Sequence, residues 1–185
     1  MKLNNLTALI LAGGKSTRFG ADKARHAVEG RAMIERVAEV VTEVADTVLI
    51  SVAEEGAEYD LPSARQVVDR YRDAGPLAGL HAGLEATETP WLLAVACDMP
   101  FVTADVLQAL AAARGPETDA VVARTLDGRY HPLCACYHQR TRPLVEAHLA
   151  AGTLAMHALL DRLKNVRFVD LPAGPLRNVN RVSDL

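Results

Sequence analysis

The stretch LTALILAGGKSTRFGADK, Leu6–Lys23, joins an apolar run to a glycine pair that is followed by three cations. Its first seven residues, Leu6–Ala12, are apolar apart from one threonine, which is typical of a strand buried on both faces. Gly13 and Gly14 allow a sharp turn, and the amides of such a turn can form a nest for an anion. The stretch therefore predicts an opening strand whose carboxyl end holds phosphate.

The cations beyond the glycine pair support a phosphate ligand. Arg18 can grip phosphate with two parallel hydrogen bonds, while Lys15 and Lys23 supply compact charges. The spacing matches neither the P-loop, G-x-x-x-x-G-K-S/T, nor the dinucleotide fingerprint, G-x-G-x-x-G, so a P-loop NTPase and a dehydrogenase are both disfavoured. Taken by itself, the motif is also compatible with a solvated glycine loop that carries scattered cations.

The rest of the chain alternates apolar strands with amphipathic helices. Strands are predicted at Leu6–Ala12, Thr47–Ala53, Arg65–Asp69, Trp91–Asp98, Asp119–Arg124, Pro132–Tyr137 and Val166–Leu171, and helices at Arg31–Asp46, Leu77–Thr87, Thr103–Ala113 and, as one or two segments, Thr141–Leu163. This order predicts an α/β fold, a three-layer α/β/α sandwich around a mostly parallel, Rossmann-like sheet. The length of 185 residues, without a linker-like segment, favours a single domain over 1–185.

Three candidate groups follow strands of this sheet. The glycine pair follows the first strand, Asp69 closes the third, and Asp98 ends the long apolar strand that begins at Trp91. Ligands of parallel sheets bind beyond the carboxyl ends of the strands. The sequence therefore predicts that these groups meet at one edge of the sheet.

Composition limits the classes of function. The 20 Lys and Arg against 23 Asp and Glu give a net charge of −3, which offers no global basic field for nucleic acid or an anionic membrane. Three cysteines make no disulfide framework and favour a reducing cytoplasm. We expect neither a signal peptide nor a membrane span.

Five segments, in this order, carry a family resemblance. They are LILAGGKSTRFGADK (Leu9–Lys23), DRYRDAGPLAGLHAGL (Asp69–Leu84), VACDMPF (Val95–Phe101), DGRYHPLCACY (Asp127–Tyr137) and RNVNRVSDL (Arg177–Leu185). Together they resemble the molybdenum cofactor guanylyltransferases of the nucleotidyltransferase superfamily, which have a nucleotide-diphospho-sugar transferase-like fold. The resemblance implies a Mg²⁺-dependent enzyme that joins GMP from GTP to the phosphate of molybdopterin, or of the molybdenum cofactor, and releases pyrophosphate.

The resemblance also implies a set of nucleotide-binding residues in the N-terminal half. They are Leu11, Ala12, Gly13, Gly14, Lys15, Arg18, Lys23, Ser51, Asp69 and Asp98. Within this set, Arg18, Lys23 and Asp98 would be catalytic, with Asp98 holding Mg²⁺, and Asp69 would read the guanine edge. Ser51 is a departure, because the family usually carries asparagine there.

The implied acceptor-binding residues lie in the C-terminal half. They are His131, Asn178 and Asn180, with Asn180 also completing the magnesium shell. The two asparagines are two positions apart, so an extended segment would turn their side chains the same way. Because the attacking phosphate is already an anion, the reaction needs alignment and charge neutralisation rather than a strong general base.

Rival functions remain open at this point. On the same fold, the protein would be a cytidylyltransferase of the molybdenum cofactor or a sugar-phosphate nucleotidyltransferase. In another class, it would be a non-enzymatic nucleotide-binding module, which the joint presence of Arg18, Lys23 and Asp98 disfavours. Insertion and delivery proteins for the molybdenum cofactor are the expected protein partners.

Overall fold

The computed structural model describes residues 3–12, 23–53 and 59–180. The strands are β1 (Leu6–Leu11), β2 (Ala27–Val28), β3 (Arg31–Ala32), β4 (Thr47–Val52), β5 (Ala64–Val68), β6 (Trp91–Ala96), β7 (Ala120–Thr125), β8 (Tyr130–His138) and β9 (Val166–Leu171). The helices are α1 (Met33–Val44), α2 (Pro76–Ala86), α3 (Ala104–Ala112), α4 (Arg142–Ala150) and α5 (Met156–Arg162), with 3-10 turns at Lys23–Arg25, Gln139–Thr141 and Gly174–Leu176. No helix among the described residues has the length and apolar character that crossing a membrane requires.

One seven-stranded sheet contains the strands of both halves of the chain. Its order is β5-β4-β1-β6-β8-β7-β9, and all adjacent pairs are parallel except the two that involve β8. The predicted, mostly parallel sheet is therefore confirmed. A separate antiparallel pair, β2 and β3, was not predicted, because two-residue strands carry no periodic pattern.

The direction of β8 matters for the site. It runs antiparallel to β6, with Trp91 opposite His138 and Val95 opposite Cys134. The first residues of β8, Tyr130 and His131, consequently lie at the edge where β6 ends. The sequence predicted this strand but not its direction.

The sheet is covered on both faces, as the three-layer prediction requires. Along β1, Ala8 and Ile10 pack into the cluster that contains the buried residues of α3 and, except for Met33, those of α1. Leu9 and Leu11 point to the other face and pack with α2, α4 and α5. This alternation of side chains explains why the strand is apolar at nearly every position.

Helix α2 lies unusually close to the sheet because glycines face it. A Cβ placed at Gly83 would lie 2.5 Å from Leu9 Cδ2 and 2.9 Å from Leu92 Cδ2, and one placed at Gly79 would overlap the Ser51 hydroxyl. Gly75, at φ +61, makes the turn that begins the helix. Gly75 thus serves the turn, and Gly79 and Gly83 serve the close packing.

The predicted element boundaries agree with the structure to within one or two residues. Thr103 occupies the N-cap position of α3, but its side chain makes no capping hydrogen bond with the described residues. Cys134 and Cys136 share one buried face of β8, and burial raises the pKa of each thiol to about 12. Both therefore remain small apolar core groups.

We expect Gly83→Ala to destabilise the fold, because the new methyl group overpacks the buried leucines beneath α2. The expected loss in the free energy of unfolding is about 1–3 kcal/mol, measured by urea denaturation. Gly174→Ala is the matched control, because nothing lies within 4 Å of a Cβ there. Equal stability of the two variants would show that α2 does not pack this tightly.

Candidate active site

The carboxyl ends of four parallel strands are tied together just beyond the last sheet pairs. Three backbone hydrogen bonds do this: Cys97 N to Leu11 O at 3.1 Å, Ala12 N to Ser51 O at 3.2 Å, and Asp69 N to Val52 O at 2.9 Å. They bring the end of β1, with Ser51, Asp69 and Asp98, to one edge of the sheet. The structure thus brings Asp69 and Asp98 to the strand end from which the glycine pair continues.

Asp98 lies two residues beyond β6 and is half-buried. Asn178 Nδ2 donates a hydrogen bond to Asp98 Oδ1 at 2.8 Å, and Val179 N donates to the Asp98 carbonyl oxygen, also at 2.8 Å. Residues 178–179 are therefore hydrogen-bonded to Asp98 through both a side chain and the backbone. These contacts fix the position of the carboxylate from a segment 80 residues away.

A small apolar cluster stabilises the segment that bonds to Asp98. Val179 is fully buried among Val28 and Met33, with Phe101 packed against them. Burial of Val179 places its neighbours Asn178 and Asn180 away from this cluster, and Asn180 is exposed. That both asparagine side chains face the same way stays a prediction.

Arg36 supports the same region and was missed by the sequence reasoning. Its Nε donates to the Pro100 carbonyl oxygen at 3.2 Å, and its Nη1 donates to the Val28 carbonyl oxygen at 3.3 Å. The side chain thus ties α1 and the β2–β3 hairpin to the turn that follows Asp98. Nothing in the sequence distinguished this arginine from others on the polar face of a helix.

A second pair of polar groups lies at the ends of β4 and β5. Ser51 Oγ and Asp69 Oδ1 are buried, and neither has a hydrogen-bond partner among the described residues. Burial raises the pKa of Asp69 to about 7. Buried polar atoms without partners are costly in a folded protein, and they mark positions where a ligand can supply the missing hydrogen bonds.

A pocket of about 340 Å³ adjoins Asp98 on the β8 side. It is lined by Met99, Asn178, His157 and residues 128–133. The lining contains Arg129 and two histidines but no carboxylate. Burial lowers the pKa of His131, and the charge of Arg129 lowers it further, while the charge of Asp127 opposes this change. The His131 imidazole is therefore neutral at pH 7.

Comparison with known proteins identifies the family. The family described as MobA-like NTP transferase domain matches residues 8–166. The chain belongs to this family. The molybdenum cofactor guanylyltransferase of Desulfosudis oleivorans is 33% identical over 99% of this chain and 94% of its own length.

Solved structures agree on the fold. Molybdopterin-guanine dinucleotide biosynthesis protein A from Archaeoglobus fulgidus has a TM-score of 0.78 and 24% identity, covering 96% of this chain and 94% of its own. The 2-C-methyl-D-erythritol 4-phosphate cytidylyltransferase from Thermus thermophilus has a TM-score of 0.72 and 20% identity, covering 95% and 93%. At these identities the likeness shows the fold, which is that of the nucleotide-diphospho-sugar transferases, as predicted.

The structure reaches only part of the predicted family motif. Gly13, Gly14, Lys15 and Arg18 lie outside the described residues, and Lys23 begins a 3-10 turn. The backbone of Leu11 and Ala12 lies between Ser51 and Cys97, while His131 and Asn178 both line the pocket. Among the described residues, Leu11, Ser51 and Asp69 lie at the ends of β1, β4 and β5, and His131 lies at the start of β8, so Asp98 lies between these two groups.

The donors around Asp98 suit a hard divalent cation. The described residues contain no group of three or more His, Cys, Asp or Glu side chains that would form a complete protein cage. Mg²⁺ prefers oxygen ligands and keeps several waters, so one carboxylate and one amide oxygen suffice when phosphate supplies the rest. Asp98 supplies such a carboxylate, and Asn180, two residues from the asparagine that bonds to Asp98, carries an amide oxygen.

We expect the raised pKa of Asp69 to make stability depend on pH. The folded state holds this proton up to about pH 7, whereas an ordinary carboxyl releases it near its usual value of 3.8, so the stabilisation is complete below pH 4 and lost as pH rises through 7. Asp69→Asn lacks this loss. Between pH 5 and pH 8 the wild type should therefore lose ~2 kcal/mol more free energy of unfolding than Asp69→Asn loses, measured by urea denaturation.

Asp170→Asn is the control for this measurement. Asp170 is paired with Arg124, which lowers its pKa, so it is ionised in both states over the same pH range. Parallel stability profiles for the wild type and Asp69→Asn would contradict the raised pKa.

Proposed function

We propose that the protein transfers GMP from GTP to the phosphate of molybdopterin, or of the molybdenum cofactor, and releases pyrophosphate. Family membership and the name of the relative from Desulfosudis oleivorans support this activity. The observation that carries the proposal is the position of Asp98. Asp98 follows Cys97, whose backbone N–H donates to the Leu11 carbonyl oxygen at the end of β1. The Asp98 carboxylate accepts a hydrogen bond from Asn178, which lines the neighbouring pocket.

The nucleotide occupies the N-terminal half in this proposal. The backbone of Leu11, Ala12 and Gly13 faces GTP, with Gly14 completing the turn. Lys15, Arg18 and Lys23 offset the charge of the triphosphate, which otherwise repels an incoming phosphate anion. The parallel strand ends support this placement, because their edge is where ligands of such sheets bind.

Asp69 reads the guanine base. Above its raised pKa of about 7, the ionised carboxylate accepts hydrogen bonds from the N1–H and the 2-amino group together, a donor pair that adenine and cytosine lack. Asp69 Oδ1 and Ser51 Oγ are both buried without partners among the described residues, which supports a ligand contact there. Such directed polar contacts discriminate strongly, because a mismatched base leaves them unpaired.

Asp98 and Asn180 hold the metal. Mg²⁺ held by these residues would supply positive charge that offsets the charge building up at the α-phosphate. The hydrogen bond from Asn178 holds the Asp98 carboxylate in one orientation. Arg18 and Lys23 complete the catalytic set by neutralising charge as the acceptor phosphate attacks.

The acceptor occupies the C-terminal half, so that one domain holds both substrates. His131, Asn178 and Asn180 contact it, and the positive charge of Arg129 in the pocket lining favours a phosphate-bearing molecule. His131 serves binding rather than proton transfer, because the attacking phosphate carries no proton that must be removed. We place the enzyme in the cytoplasm, with insertion and delivery proteins of the molybdenum cofactor as its partners.

Pyrophosphate release tests this function. The wild type should release pyrophosphate with GTP in preference to ATP, CTP and UTP, and only when molybdopterin and Mg²⁺ are both present. Asp98→Asn should lower the rate by about 10²–10³, because it removes a charge from the metal site and little packing. Its thermal unfolding should stay close to that of the wild type.

Asp105→Asn is the matched control, since this carboxylate is exposed in the first turn of α3. Preference for CTP would favour the cytidylyltransferase alternative. Nucleotide binding without any transfer would favour a non-enzymatic module. Normal turnover by Asp98→Asn would contradict the metal assignment.

A further inference from the structure

An aromatic pair forms part of the pocket wall. The Tyr130 and His157 rings meet edge to face, with centroids 4.8 Å apart and an interplanar angle of 70°. Both residues line the pocket, Tyr130 from the start of β8 and His157 from α5. The proposed chemistry at Asp98 uses neither of them.

The pair is held from behind by the fold. Phe168, on β9, packs against Tyr130 with centroids 5.5 Å apart and does not line the pocket. Next to His157, Met156 is buried and anchors α5 in the core, while His157 itself remains exposed. Tyr130 thus lies between a supporting ring and a ring that is available to a ligand.

The remainder of the pocket completes a site for a flat, anionic molecule. Arg129 supplies positive charge, and the Asn178 side chain connects the pocket to Asp98. His131 is more than nine-tenths buried, and its Nε2 has no hydrogen-bond partner among the described residues. A volume of about 340 Å³ lies within the range of small-molecule sites.

We propose that Tyr130 and His157 bind the ring of the acceptor and that His157 is a specificity-determining residue for it. The acceptor phosphate must lie beside Asp98, at the Asn178 part of the pocket, so the ring extends toward the α5 part. Aromatic side chains there offer edge-to-face or stacked contact with a pterin, a flat heteroaromatic ring. The identity of this ring as a pterin rests on the proposed function.

Fluorescence titration with a pterin monophosphate tests the proposal without requiring turnover. His157→Ala and Tyr130→Leu should each weaken binding about tenfold, because each removes a ring from the wall. Tyr130→Phe keeps the ring and should bind within about twofold of the wild type. Phe168→Ala is the matched control, since it removes a ring that touches Tyr130 from outside the pocket.

Three results would overturn the proposal: no pterin binding by the wild type, wild-type binding by both His157→Ala and Tyr130→Leu, or a loss in Phe168→Ala as large as theirs. The last would show that packing around Tyr130, rather than ring contact, controls binding. Thermal unfolding of each variant separates weak binding from loss of the fold.

Guanylyl transfer, measured in parallel, separates this proposal from the proposed function. In His157→Ala the KM for molybdopterin should rise while the KM for GTP stays unchanged. If every variant transfers GMP with unchanged KM values, Tyr130 and His157 do not bind the acceptor ring, and the proposed function still holds. If the variants weaken pterin binding as expected but the wild type transfers no GMP from GTP, Tyr130 and His157 bind the ring and the proposed function is wrong.

Discussion

The hydrogen bond from the Cys97 amide to the Leu11 carbonyl oxygen is the constraint on which the site depends. It extends the parallel pairing of β1 and β6 by one step beyond their last residues. The segments that follow β1 and β6, which begin with Ala12 and Cys97, therefore leave the sheet at neighbouring points. Two segments that are far apart in sequence thereby acquire a fixed spacing. A transfer reaction requires this when its catalysis depends on aligning the two reacting groups.

The second half of the chain completes this edge by reversing one strand. Because β8 runs antiparallel, it begins where β6 ends, and its first residues become a wall of the pocket beside Asp98. The segment that contains Asn178 then returns and bonds to Asp98. The proposed nucleotide and acceptor sites thus share a single carboxylate, so a substrate bound on either side lies next to the proposed metal position.

Much of the fold follows from local sequence signals. Buried strands such as β1 and β6 are apolar at nearly every position, and α1 carries an apolar stripe, so their extents were predictable to within one or two residues. The positions of Asp69 and Asp98 at strand ends followed from the same patterns. The direction of β8 did not, because its residues fit a parallel or an antiparallel partner equally well.

The supporting contacts of the site were beyond sequence reasoning for a related reason. The hydrogen bond between Asn178 and Asp98 joins residues whose approach depends on the whole intervening chain. Arg36 forms an ion pair with Glu29 and also donates to two carbonyl oxygens, and a carbonyl leaves no trace in the sequence. The pairing of Tyr130 with His157 likewise depends on how α5 docks, so sequence reasoning singled out His131 but neither of these rings.

A paramagnetic probe tests the central claim most directly. Mn²⁺ in place of Mg²⁺, added with GTP to the ¹⁵N-labelled protein, should broaden the amide signals of Cys97 and Val179 first. The amides of Thr7 and Leu92, about 15 Å away at the other ends of their strands, should stay sharp. Broadening of the Thr7 and Leu92 signals, with those of Cys97 and Val179 unaffected, would place the metal–nucleotide complex elsewhere and contradict the account.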